Sequence, residues 1–357
     1  MAWDKALILG IETSCDETAV AFLRGGRECA ASAVASQTDL HRRFGGVVPE
    51  VACRAHMEAL LPLLEGLMKE RGLAPEEIDG IAVTNRPGLI GALLVGVSAA
   101  KALAYAWEKP LVGVNHIEAH ISAARLTEPG LAPPFVALVV SGGHTTLYLV
   151  NEQDRYELLG TTRDDAAGEA FDKAAAVLDL PYPGGPSIEK AALQGNPRAF
   201  PWKNACLPDD GRDFSFSGIK TAVLYAARGQ KAGRKGPLLL SEKERADAAA
   251  SFQHAVAHAL VKRTLAAAER HGVGWIALGG GVAANKALRA ALEAGSNRAG
   301  IRTAIPPLAL CTDNAVMVAA RGWELFARGT RDTLDLDASA RALPGTFSPP
   351  EGAGHGR

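Results

Sequence analysis

The sequence lacks a cysteine framework. Its five cysteines, Cys15, Cys29, Cys53, Cys206 and Cys311, form an odd set with no close pair. This argues against both a disulfide scaffold and a thiolate zinc site, and it suits a reducing compartment. No charge of one sign dominates either, because 38 basic and 39 acidic residues leave a net charge of −1. Any nucleic-acid surface must therefore be a local patch, since whole-molecule attraction is missing. Long apolar runs are missing too. Leu131 to Val140 is too short to span a bilayer and carries two prolines, and the N-terminus has no basic region followed by an apolar core. The expectation is a cytoplasmic protein that does not enter a membrane. With 357 residues, 48% hydrophobic and 22% charged, the chain is long enough for two cores.

What the sequence has is alternating α/β patterning. A strand at Ala6–Ile11, a polar turn at Glu12–Thr18 and an apolar run at Ala19–Leu23 read as a hairpin with acidic groups at its tip. A helix over about Pro49–Lys69, a strand at Gly80–Thr84 and an apolar helix over Ile90–Ala106 follow. From Phe135 the order restarts, with strands at Phe135–Val140 and Thr146–Val150, then helices, then a strand at Trp275–Leu278. The spacings differ between the halves, so duplication is a statement about topology and not a sequence repeat. Two such halves form two lobes with a central cleft, and open α/β sheets bind ligands at the carboxyl ends of their strands.

Several motifs fall at those strand ends. In Asn115-His116-Ile117-Glu118-Ala119-His120, two imidazoles four residues apart share one helix face and can hold a divalent metal. The turn Ser141-Gly142-Gly143, just after Val139 and Val140, can offer backbone N–H groups to phosphate. His254 and His258 repeat the spacing inside an Ala-rich stretch without a nearby glycine turn, and we read that pair as structural. A zinc-protease motif needs Glu directly after the first His; here Ile117 stands there, and a Glu one position later points about 100° away. Gly279-Gly280-Gly281 before the helix at Lys286 suits an anion or a base, or simply a tight connection. Asn285 is a helix cap or a ligand contact. Asp172 and Glu189, each followed by Lys, are ribose acceptors or solvated charges, with Gly185 in the stiff turn between them. Asp313 is either a strand-end carboxylate completing a His, His, Asp set or a helix N-cap.

Seven motifs in order carry a resemblance: Gly10 to Thr18, His116 to His120, Ser141 to Thr145, Gly168 to Lys173, Phe214 to Thr221, Gly279 to Asn285 and Cys311 to Asn314. Over about residues 6–327 the chain closely resembles the tRNA adenosine threonylcarbamoyltransferases of the bacterial branch, once labelled O-sialoglycoprotein endopeptidases. The resemblance implies an actin-like, sugar-kinase-like duplicated fold. Residues 1–131 would form the first lobe, completed by a helix near 313–330; residues 132–312 would form the second, and residues 332–357 a poorly ordered tail. It implies transfer of an L-threonylcarbamoyl group from threonylcarbamoyl-AMP to N6 of adenosine 37 in tRNAs reading codons that begin with A. His116, His120 and Asp313 would bind one divalent metal, iron in the family, with zinc or magnesium as alternatives. Val139, Val140, Ser141, Gly142 and Gly143 would hold the phosphate and acyl region, and Asp172, Gly185, Glu189 and Asn285 the adenylate. Asp16 and Glu17 are the candidates for deprotonating or orienting the amine, or else are ordinary turn residues. The implied partners are tRNA, a non-catalytic paralogue, a small ATPase and a separate enzyme that makes the adenylate. Arg86 stands where the family commonly has glycine, and Glu189 where Asp is frequent. The loop from Arg228 to Gly236, with Lys231, Arg234 and Lys235, either touches tRNA phosphates or is solvated. The competing functions are an ATPase or phosphotransferase on the same fold and, further off, a metalloprotease.

Overall fold

The computed structural model describes residues 3–202, 213–230 and 236–341. Its chain divides into two compact units, Met1–Thr127 with Thr312–Arg357, and Glu128–Cys311.

In the first unit, β1 (Leu7–Glu12) pairs antiparallel with β2 (Glu17–Arg24), which pairs antiparallel with β3 (Glu28–Ser36). After α1 (Thr38–Arg42), α2 (Pro49–Arg71) starts on a proline at its first position and stops at Gly72 in the left-handed conformation, as its sequence dictates. Then come β4 (Gly80–Arg86), α3 (Ile90–Ala106), β5 (Leu111–Asn115) and α4 (His116–Thr127), which begins with no residue between it and its strand. β4 joins β1 in parallel and β5 joins β4 in parallel, giving the order β3-β2-β1-β4-β5. All six residues of β1 are buried, because the central strand is covered on both faces. Leu7, Leu9, Ile11, Val20, Phe22 and Val83 anchor that core.

The second unit repeats the plan. Its strands are β6 (Phe135–Val140), β7 (Thr145–Val150) and β8 (Tyr156–Thr161). Four helices follow: α5 (Ala167–Val177), α6 (Gly184–Ala192), α7 (Ser217–Arg228) and the 30-residue α8 (Glu242–His271). β9 (Trp275–Gly279), α9 (Lys286–Ala299) and β10 (Arg302–Ala304) complete it. The order β10-β9-β6-β7-β8 has the same parallel and antiparallel pairings as the first sheet, so β6 is the counterpart of β1 and β9 of β4. The duplication expected from element order is thus present in strand topology.

The chain then returns to the first unit as α10 (Ala315–Ala327), which packs on β1, β4 and α4. Gly10 of β1 permits that approach, since a Cβ there would come within 2.3 Å of the Ala315 carbonyl oxygen. The expected loose tail does not hold for residues 332–341. Asp332 bridges to Leu111 and accepts the Gly113 N–H at 2.7 Å, Lys101 donates to the Leu336 carbonyl at 3.0 Å, and Asn85 donates to the Asp337 carbonyl at 3.0 Å. Those bonds cover the open edge of β5, and edge pairing outweighs the turn-rich composition. Residues 342–357, and Lys231, Arg234 and Lys235 of the basic loop, lie outside the described residues.

Candidate functional site

The first cluster lies within the first unit. Asn115 ends β5 and caps α4, its Oδ1 accepting the Ile117 N–H at 2.9 Å, so the helix starts on His116. One turn on, His120 brings its ring to 4.6 Å from that of His116, edge to face. Asp313 Oδ1 lies 3.4 Å from His116 Nε2 and 3.3 Å from His120 Nε2, and one ligand atom from each of the three residues falls within 4.8 Å of the others. Asp313 is not at a strand end: β10 stops at Ala304, prolines intervene, and Asp313 lies in the turn before α10. Nor is it the helix cap, because Asn314 accepts the Met317 N–H at 3.0 Å in that role. Its carboxylate is thereby left to the histidines.

The donor set fits a divalent cation. His120 is fully buried; among the described residues its Nδ1 makes no hydrogen bond, and its Nε2 faces the Asp313 carboxylate at 3.3 Å. A buried imidazole left that way is costly, and a metal relieves it.

Glu12, at the end of β1, is a functional residue the sequence reading left inside a turn. It is completely buried, with Oε2 3.1 Å from His116 Nδ1 and accepting Thr84 Oγ1 at 2.6 Å, while Oε1 accepts the Ser14 N–H at 2.6 Å. Burial would raise its pKa, but the charge and hydrogen bond of His116 hold it below its ordinary value. An ionised Glu12 accepts a hydrogen bond from the Nδ1–H of His116 and so leaves Nε2 facing Asp313, the carboxylate–histidine support common behind metal ligands. Burial would likewise raise Asp313, yet the two histidines hold it far below the carboxylate range.

Asp16, in the bend after β1, and Glu17, the first residue of β2, lie beside this cluster. Glu17 Oε1 accepts from Ser36 Oγ at 2.7 Å, and Oε2 is buried without a hydrogen bond among the described residues. Burial, with the charges of Asp16 and Asp313, pushes Glu17 up to about 7. Asp16 is raised by burial and by Asp313. Burial drives the Cys15 thiol well up, so it is no nucleophile. Glu118 faces away from the ligands and is bound by Arg321 at 2.7 Å, which takes from a protease reading its general base. Arg86 also contributes favourable charge to Glu118.

The second cluster lies in the second unit, at the carboxyl ends of β6 and β9. Val139 pairs with Gly279, and the turn after Val140 is tied by the Ser141 N–H to the His144 carbonyl at 2.7 Å and by the Gly168 N–H to the Ser141 carbonyl at 3.1 Å. Gly280 adopts φ 90°, and a Cβ there would meet the Val140 carbonyl oxygen at 2.4 Å, so the two turns touch through backbone alone. Gly142, Gly143, Gly185 and Gly281 face open space, with nothing within 4 Å of a Cβ. Asp172 accepts the Gly184 N–H at 2.7 Å at the start of α6. Glu189 accepts the Lys286 N–H at 3.2 Å at the start of α9. Asn285 caps α9 through the Leu288 N–H at 3.0 Å, and its amide donates to Gln253 Oε1 at 2.8 Å. These polar groups set the mouths of two helices around the open glycines. His254 and His258 lie on α8 beside Gln253, the partner of the Asn285 amide, with parallel-leaning rings 6.4 Å apart. They line a cavity of about 410 Å³ with Gln253 and Arg298.

Comparison with known proteins agrees with this arrangement. Full-length HypF in its phosphate- and nucleotide-bound form superposes with a TM-score of 0.58 at 13% identity, over 91% of this chain and 56% of that one. Component A of the (R)-2-hydroxyglutaryl-CoA dehydratase of Acidaminococcus fermentans gives 0.52 at 15% identity, over 90% and 99%. Both place the chain in the actin-like, sugar-kinase-like class of α/β folds. The family model "TsaD: tRNA N6-adenosine threonylcarbamoyltransferase" matches residues 28–320. Proteins of that name from Symbiobacterium thermophilum and Moorella thermoacetica are 54% and 51% identical over 94% and 93% of this chain, and over 96% and 95% of their own. The chain therefore belongs to the tRNA N6-adenosine threonylcarbamoyltransferase family.

Proposed function

We propose that this protein is an acyltransferase that moves the L-threonylcarbamoyl group from threonylcarbamoyl-AMP to N6 of adenosine 37 in tRNAs reading codons that begin with A. The observation that carries this is identity of 54% across 96% of a relative bearing the transferase name. The buried His116, His120 and Asp313 set is the chemistry it calls for.

In the reaction a bond forms between N6 and the carbamoyl carbon, the bond from that carbon to the phosphate oxygen breaks, N6 loses a proton and AMP leaves. His116, His120 and Asp313 would hold one divalent cation, iron by family resemblance; such an ion supplies Lewis-acid stabilisation of charge at a mixed anhydride and its departing phosphate. Glu12 orients His116 for that task. The N–H groups of Gly142 and Gly143 bind and align the phosphate, while Val139 and Val140 bound the acyl end. Asp172, Gly185, Glu189 and Asn285 hold the adenylate at the mouths of α6 and α9. Glu17, raised to about 7, is poised to accept the amine proton near neutral pH, with Asp16 beside it. The non-catalytic paralogue and the small ATPase are the protein partners. No helix of the described residues is long and apolar enough to cross a membrane.

The test is nucleoside mass spectrometry on unmodified tRNA incubated with the protein, its partners and threonylcarbamoyl-AMP. Threonylcarbamoyl-adenosine should appear with the intact protein and vanish with His116→Ala. No product from metal-loaded protein with verified partners would refute the assignment and turn attention to phosphotransfer.

A further inference from the structure

All three candidate metal ligands ride on two helices. His116 and His120 belong to α4, and Asp313 is fixed to the start of α10 by the Asn314 cap. The placement of α4 against α10 therefore sets the geometry of the metal site.

A buried charge ladder joins these helices. Glu118 Oε2 accepts from Arg321 Nε at 2.7 Å and lies 2.5 Å from Arg321 Nη2. Arg321 Nη1 donates to Glu324 Oε2 at 2.8 Å, and the same oxygen accepts Ser122 Oγ at 3.2 Å. Arg125 Nη1 approaches Glu324 Oε1 at 3.5 Å. Glu118 is 5% exposed and Arg321 2%. Arg86 and Arg328 add charge near Glu118.

Adhesion alone does not explain such a ladder, because apolar side chains in place of a buried pair usually hold helices as well or better. Orientation does. At about 100° per residue, Glu118, Ser122 and Arg125 occupy one arc of α4, roughly half a turn from the arc of His116 and His120. Rotating the helix by ~10° would swing an imidazole nitrogen about 1 Å at a radius of about 6 Å. Metal–ligand distances tolerate about 0.2 Å.

We propose that Glu118 and Arg321 are positioning residues that lock the rotation of α4 against α10, and so hold His116, His120 and Asp313 in metal-binding geometry. This deepens, and rests on, the metal site of the proposed function.

The experiment is titration of the metal-free, full-length protein with Co²⁺, read by visible absorption. Variants are Glu118→Gln, the double variant Glu118→Met with Arg321→Met, and Asp179→Asn. The last removes the charge of the half-exposed Asp179 from its pair with buried Arg228 in the other unit, as a control for loss of an ion pair away from the site. Both ladder variants should bind Co²⁺ at least about tenfold more weakly and with altered bands, whereas Asp179→Asn should match wild type. If Glu118→Gln fails to fold, the double variant, which replaces the pair with packed apolar side chains, decides. Wild-type affinity and bands in the ladder variants would overturn the lock alone. Absence of Co²⁺ uptake by wild type, with His116→Ala indistinguishable from it, would overturn the metal site and the lock with it.

Discussion

Glu17→Gln isolates the ionisation on which the proposed role of Glu17 as proton acceptor rests. The folded protein raises Glu17 from 4.5 to about 7, chiefly by burial and then by the charges of Asp16 and Asp313. The folded state thus holds this proton more tightly than the unfolded chain. Its contribution favours folding at low pH, and stability is lost as pH climbs from about 4.5 through 7. The full difference is worth about 3.4 kcal/mol at ~1.4 kcal/mol per pH unit. The side chain is only partly buried, so solvent screening trims that to about 1.5–2 kcal/mol. Urea denaturation of metal-free wild type and Glu17→Gln at several pH values should therefore show the variant gaining about 1.5–2 kcal/mol on wild type between about pH 5 and 8.5. Any constant cost of the amide cancels in that comparison. Metal loading should lower the Glu17 inflection, because cationic charge offsets Asp313. Stability curves parallel to within about 0.5 kcal/mol would refute the raised pKa and remove Glu17 as a base near neutral pH.

Other outcomes follow from the same geometry. His116→Ala and Asp313→Ala should reduce bound metal from near one per chain to near zero by elemental analysis, and Glu12→Gln should weaken metal binding about 10- to 100-fold while retaining the other contacts. Gly280→Ala, forced to φ 90° against the Val140 carbonyl, should destabilise by at least about 2 kcal/mol in thermal melts. Gly281→Ala, which meets nothing, should stay within about 0.5 kcal/mol of wild type yet weaken AMP binding by calorimetry. Asn285→Ala should cost about 1 kcal/mol through loss of the α9 cap. Asn285→Asp should restore that stability, and if it also restored AMP affinity, the amide would have no direct role with the nucleotide.

Much of this was legible because central strands buried on both faces appear as uninterrupted apolar runs. Phe135–Val140 was bounded correctly for that reason, and Ile90–Ala106 because Lys101 is its one charged residue in an otherwise largely apolar helix. The histidine pair and the glycine turns were visible through spacing alone. β3 was not: only Ala31 of Glu28–Ser36 is fully buried, its alanines have weak strand preference, and pairing with β2 holds it. Glu12 resembled a turn residue since its partners, Thr84 and His116, stand 72 and 104 positions away. A charged residue closing an apolar strand was the signal available. Asp313 was misplaced at a strand end because Ile305–Leu310 is apolar, yet its prolines yield a short 3-10 turn at Leu308–Leu310 instead of a strand. Only the Arg321–Glu324 rung of the ladder, three residues apart on α10, had a local signature; the bonds of Arg321 to Glu118 and of Glu324 to Ser122 and Arg125 are made by the meeting of α4 and α10.

The second unit is inserted between α4 and α10, and this has a consequence for biosynthesis. A ribosome delivers His116 and His120 long before Asp313, with the 184 residues of Glu128–Cys311 emerging in the interval. The second unit has all its strands and helices available to it first, whereas the first unit waits with an uncovered sheet face until α10 arrives. Acquisition of the proposed metal would then mark a chain made through to its closing helix, and a product truncated before Thr312 would carry both histidines but no completed site.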